Sequence, residues 1–143
     1  MNSYGLIDLH CDTLAEYWKY AHTGNPDTLD DPGRVLSLSN MPKDVHWAQF
    51  YAVFIPDEER GQAAIDHFEK NRANFYRQME KFGDRVAPCR NADDMEKAWA
   101  AGKTAAFLTI ENGSALAGDL SRVHTLAEQG VRSAAYLAGK EVS

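Results

Sequence analysis

Long apolar runs are missing from this sequence. No stretch of its 143 residues approaches the roughly 18 consecutive apolar residues of a membrane span. Its first residues also lack the basic-then-apolar pattern of a secretory leader. Neither a transmembrane helix nor a Sec signal is expected, and a cytoplasmic setting follows. Cysteine is scarce: Cys11 and Cys89 are the only two, too few for a disulfide framework, which fits a reducing compartment. Basic charge is in deficit, with 15 Lys and Arg against 21 Asp and Glu and a formal net charge of −6. That balance argues against nucleic acid or an anionic membrane as the main partner. There is no internal repeat, no low-complexity tract, no Gly-rich phosphate loop and no Ser/His/Asp order suited to nucleophilic catalysis. What is present, 44% hydrophobic and 25% charged residues, is the composition of one soluble globular domain with a real core.

Strand-like and helix-like segments alternate. Residues 5–11 read as a first strand, and residues 14–20 suit a short helix broken at Gly24-Asn25-Pro26. The polar stretch to Gly33 reads as a loop, and residues 35–38 are too short to assign. Residues 47–55 are almost wholly apolar and aromatic and end at Pro56, as in a strand buried on both faces. Asp57 is expected to cap a long helix reaching about Phe82, with Ile65, Phe68, Phe75, Met79 and Phe82 as its core stripe. A further helix starts near Asn91, capped by Asn91 or Asp93, with Met95, Ala98 and Trp99 on its apolar side and Gly102 as its stop. Residues 104–110 read as a third strand. Residues 120–129 read as a helix with Leu120, Val123, Leu126 and Ala127 on one side, and residues 131–137 as a fourth strand. This order predicts an α/β domain over residues 1–143: about four parallel strands joined by right-handed crossovers.

Candidate chemistry sits at strand ends. In Asp8-Leu9-His10-Cys11-Asp12-Thr13 the alternation of a strand points His10 and Asp12 one way and Cys11 the other. An imidazole and a carboxylate side by side are ligands for zinc or a similar divalent cation. The bland alternative is that both bond to backbone in an ordinary strand-to-helix turn. Glu111 closes the third strand at the equivalent place, where its carboxylate could bridge two cations; the alternative there is a charge at a helix start. Two metals so bridged acidify water and polarise a carbonyl, which suits amide hydrolysis. His22, His46, His67 and His124 have no ligand partner at a telling spacing and are read as surface or capping residues. Cys11 reads as a small core residue rather than a nucleophile. Asn112 and Gly113 read as shapers of the turn after Glu111.

Four segments occur in an informative order: Asp8-Leu9-His10-Cys11-Asp12-Thr13-Leu14, Ala48-Gln49-Phe50-Tyr51-Ala52-Val53-Phe54-Ile55-Pro56, Ile110-Glu111-Asn112-Gly113 and Gly130-Val131-Arg132. Together they resemble the membrane (renal) dipeptidase family of zinc peptidases over residues 5–132. The resemblance implies a TIM-type (β/α)8 barrel with a binuclear zinc site that cleaves dipeptides. It also implies that His10 and Asp12 hold one metal and that Glu111 is the bridging, catalytic carboxylate.

The sequence departs from the family pattern after Arg132. The family's next strand commonly ends in a Thr-Leu-Thr-His or Thr-Leu-Thr-Trp type motif, whereas this chain reads Ser133-Ala134-Ala135-Tyr136-Leu137-Ala138. Two later metal-binding histidines and an acidic residue of the family have no counterpart in the 143 residues. A complete barrel takes roughly 250 residues, so the chain is read as the first half, truncated, with two unpaired sheet edges. Such a chain alone is expected to have little or no dipeptidase activity. Two alternatives remain. One is a non-catalytic half-barrel or interaction module that associates through its edges, as a homo-oligomer for example. The other is another amidohydrolase-like metal hydrolase, although those typically open with His-x-His where this chain has Asp12.

Overall fold

The computed structural model describes residues 4–14 and 27–135. The helix read over residues 14–20, its Gly24-Asn25-Pro26 break, His22 and the end of the last strand fall wholly or mostly outside them. Within them, strands form at Gly5–Cys11 (β1), His46–Phe54 (β2), Val86–Pro88 (β3), Thr104–Glu111 (β4) and Val131–Ala135 (β5). Helices form at Gln62–Lys81 (α1), Ala92–Ala100 (α2) and Arg122–Glu128 (α3), with single 3-10 turns at Thr28–Asp30 and Gly113–Leu116.

Every strand pairing is parallel. The order runs β1-β2-β4, and β4 carries both β3 and β5 on its other edge. β3 pairs with residues Thr104 to Ala106 of β4, and β5 with Leu108 to Glu111. The architecture is thus mixed α/β with parallel strands, consistent with the first half of a TIM-type barrel. Five strands are described where the sequence pattern counted about four. The extra one, Val86-Ala87-Pro88, is too short to show a period and ends in a residue that cannot donate to a ladder.

Alternation along β2 and β4 sorts their side chains onto two cores. Tyr51, Val53, Leu108 and Ile110 join Phe68, Phe75 and Met79 of α1 on one face. Ala48, Phe50, Ala105 and Phe107 pack with Ala98 and Trp99 of α2 on the other. The buried strands expected over residues 47–55 and 104–110 therefore form as read, because apolar residues at both parities leave neither face for water.

Several local expectations change. Asp57 does not cap α1: the chain first turns, with Glu59 N donating to Pro56 O at 3.0 Å, and α1 begins after Gly61 with no side-chain cap. Phe68, Phe75, Met79 and Phe82 are buried as expected, but Ala64 rather than Ile65 heads the buried stripe. The helix read over 120–129 shortens to α3, and its apolar side is mostly wet: Leu126 is buried while Leu120 and Val123 are exposed. Asn91 does cap α2, its side chain accepting from Asp94 N. β1 pairs only with β2 among the described residues and exposes Leu6, Ile7 and Leu9. Among the described residues no helix is long and apolar enough to cross a membrane.

Candidate metal centre

β1 reaches the site through an irregularity. Asp8 pairs with Gln49 and Cys11 with Tyr51, so the two residues Leu9 and His10 face the single residue Phe50. A bulge of this kind re-aims side chains. Asp8 supports it, its Oδ1 accepting from His10 N at 3.1 Å. Beyond the bulge Cys11 packs against the α1-side core, which leaves His10 and Asp12 on the opposite face, as the strand period requires. Burial pushes the Cys11 thiol up to about 12, in keeping with a core residue and not a nucleophile.

Glu111 arrives on the same face from β4. It shares the parity of Phe107 and Thr109, and Phe107 stacks on Phe50 at 4.6 Å. The strand end is held from both sides: Ile55 N donates to Glu111 O at 3.2 Å and Asn112 N to Ala135 O at 3.1 Å. His10 Nε2 then lies 3.3 Å from Asp12 Oδ1 and 3.2 Å from Glu111 Oε2. One ligand-type atom from each of the three residues lies within 4.8 Å of the others. The group is reached by solvent, since the side chains of His10 and Asp12 are 41% and 60% exposed while that of Glu111 is 13% exposed. Burial raises the Glu111 carboxyl above its ordinary value; His10 opposes that shift and Asp12 adds to it.

The donor set suits a divalent cation. Zinc bonds nitrogen and carboxylate oxygen at about 2.0–2.2 Å in a tetrahedron. Ligand atoms around such an ion lie roughly 3.3–3.5 Å from one another by that geometry, close to the two contacts His10 makes. Two carboxylates and one imidazole also supply the negative charge that would offset the ion. Without a cation the same contacts are hydrogen bonds or ion pairs of His10.

The other sequence candidates stay apart from this group. His46 stacks on Trp99 at 5.5 Å, and exposed His124 meets Glu128 at 3.1 Å. His67 is neither surface nor cap: it is buried on α1, with Nδ1 2.9 Å from Glu59. Asn112 does shape the turn, at a positive φ of 74°, its side chain accepting from Ser114 N. Two supporting residues were not singled out as such, Asp8 and Asp57. The i to i+2 spacing of Asp8 and His10 is an Asx-turn signal that could have found the first.

A parallel α/β sheet carrying an imidazole and two carboxylates at its strand ends defines a class: mixed α/β chains, consistent with the first half of a TIM-type barrel, with a group of side chains that could hold a metal ion. The model of the membrane dipeptidase family, peptidase family M19, matches residues 1–139, and the chain belongs to that family. The match continues past Arg132, where the motifs quoted from the sequence run out. No curated protein matches the chain in sequence. Among solved structures it is similar to a dipeptidase AC, a metallopeptidase of family M19, at 20% identity and a TM-score of 0.77, covering 93% of this chain and 42% of that one. A Rhodobacter sphaeroides metallopeptidase liganded with a phosphinate mimic of the dipeptide L-Ala-D-Ala aligns at 18% identity and a TM-score of 0.77, covering 93% of this chain and 45% of that one. An amidohydrolase from Pseudomonas aeruginosa aligns at 21% identity and a TM-score of 0.57, covering 70% and 29%. At these identities the likeness is one of fold. The chain spans less than half the length of each of these structures.

Proposed function

We propose that this chain supplies the first metal ligands of a zinc-dependent dipeptidase. His10 and Asp12 hold one cation, and Glu111 shares its carboxylate between that cation and a second. The observation that carries the reading is the meeting of His10, Asp12 and Glu111 from two non-adjacent strands. Family membership supports it. A divalent cation there supplies an acidified water and polarises a peptide carbonyl. The chain's own residues do the rest. The Asp8 bond holds the His10 backbone, and the exposed side chains of His10 and Asp12 leave the group accessible from solvent. The substrate class is carried over from the relative described with a mimic of L-Ala-D-Ala. A reducing cytoplasmic setting belongs to the same proposal, supported by two free cysteines.

Titration calorimetry with zinc on wild type, His10→Ala and Glu111→Gln tests the metal centre. Wild type is expected to bind, and each variant to bind at least tenfold more weakly. Equal affinity in all three overturns the site. Zinc-dependent binding of a phosphinate dipeptide mimic tests the substrate class, and its absence in a zinc-loaded chain counts against a dipeptidase. The 143-residue chain by itself is expected to hydrolyse little or no Gly-D-Ala. Robust turnover that Glu111→Gln abolishes would refute that expectation. A second reading, a non-catalytic half-barrel that self-associates through its edges, draws on the exposed Leu6, Ile7 and Leu9 of β1. An oligomer that binds no zinc would favour it.

A further inference from the structure

Asn112 follows Glu111 and uses the full hydrogen-bonding capacity of its amide. Its Oδ1 accepts from Ser114 N at 3.1 Å and from Ser114 Oγ at 2.8 Å. Its Nδ2 donates to Ile55 O at 2.9 Å and to Asp57 Oδ1 at 2.8 Å. The acceptor end therefore grips the turn after β4, and the donor end grips the segment that leaves β2. With its backbone N on Ala135 O, this one residue joins the ends of β2, β4 and β5 directly beside Glu111.

The residue type matters as much as the position. At φ 74° and ψ 120° the backbone lies outside the left-handed helical well that asparagine visits readily, so the four bonds of the amide are what hold this side chain in a strained conformation. Aspartate would keep the two acceptor bonds but lose both donors and set a second carboxylate against Asp57. Glycine would keep the backbone angle and lose all four bonds.

We propose that Asn112 is a positioning residue for the metal centre: its amide fixes the end of β4 to the segment after β2, and so aims the Glu111 carboxylate at His10 and Asp12. The proposal rests on reading that group as a cation site. Groups that orient metal ligands contribute about 10–100-fold in affinity. Asn112 acts through the backbone rather than on the carboxylate itself, so the low end of that range applies.

Zinc affinity by calorimetry and the visible spectrum of the cobalt-substituted chain, for wild type, Asn112→Gly and Asp57→Ala, test this. Asn112→Gly is expected to bind zinc about tenfold more weakly and to change the cobalt spectrum while its urea midpoint shows it folded. Asp57→Ala removes one of the four bonds and should shift both readouts the same way, by less. Wild-type affinity and spectrum in Asn112→Gly overturn the proposal. Should that variant fail to fold, wild-type behaviour of Asp57→Ala overturns it instead. Wild-type chain that binds no zinc fails the metal reading itself, a result distinct from either.

Discussion

Gly130→Ala should destabilise the domain by about 1.5–3.5 kcal/mol, from two separable sources. Gly130 sits between α3 and β5 at φ 105°, a region where an L side chain costs about 1–2 kcal/mol. A Cβ built there also collides with the Tyr76 hydroxyl, which donates to Gln129 O at 3.1 Å. Moving the ring forfeits that bond, worth about 0.5–1.5 kcal/mol, and disturbs its edge contact with Phe75 at 5.1 Å. The two sources part in a Tyr76→Phe background. Without the hydroxyl, the next ring atom lies 3.4 Å from the new Cβ, an ordinary contact, so only the backbone part should remain. Urea unfolding of wild type, both single variants and the double gives the cycle. Gly130→Ala should cost less in the Tyr76→Phe background by about 1 kcal/mol. An identical cost in both backgrounds would refute the steric argument, and a cost under about 0.5 kcal/mol in wild type would refute the backbone argument as well.

Acid should weaken the domain partly through Asp30, whose carboxyl is held below its ordinary value by the Arg85 guanidinium at 2.7 Å. Its folded value lies below the unfolded one, near 3.9, so the stabilisation is complete above that pH and is lost as pH falls through the folded value. Asp30→Asn should remove that part of the acid slope in urea midpoints; parallel curves for the two proteins below about pH 4 would contradict this. The effect should be modest, because both partners are partly exposed and solvent screens them. Burial pushes the thiols of Cys11 and Cys89 up to about 12 and about 11. Both should therefore resist a disulfide reagent at neutral pH and react promptly in urea. Fast labelling of the native chain would show that one of them is not buried as described.

Most of the sheet was legible because its two central strands carry apolar residues at both parities, as a parallel strand covered on both faces does. The candidate group was legible for a related reason: polar ligand-type residues stand out at strand ends, and His10, Asp12 and Glu111 do come together there. What escaped the sequence lacked a period or had a misleading one. Val86-Ala87-Pro88 is shorter than any repeat, so its pairing to β4 shows only in three dimensions. Asp57 looked like a cap because a carboxylate after Pro56 commonly is one; here tertiary bonding took it for Asn112 instead. His67 looked like a surface residue on an amphipathic helix, yet Glu59 meets it from the preceding turn. Leu120 and Val123 had helical spacing with Leu126, but α3 begins only at Arg122 and turns just Leu126 inward.

The meeting of His10 with Glu111 constrains the shape of the sheet as well as its chemistry. β1 and β4 are not neighbours; β2 lies between them. In a flat sheet strands two places apart are separated by about 9.5 Å, and side chains on one face stand roughly parallel to each other. Yet the imidazole and carboxylate tips are 3.2 Å apart. Two side chains can close such a gap readily only by leaning together over the intervening strand, as they do on the concave side of a curled sheet. Helix α1 packs on the other side, with Cys11, Tyr51 and Leu108, so the concave side is the one free of α1. Curling of this hand is what barrel closure requires. The contact between the two tips thus depends on how β1, β2 and β4 curl together at this end of the sheet. A substitution that flattens β2 against β4 would therefore separate His10 from Glu111 without touching either residue.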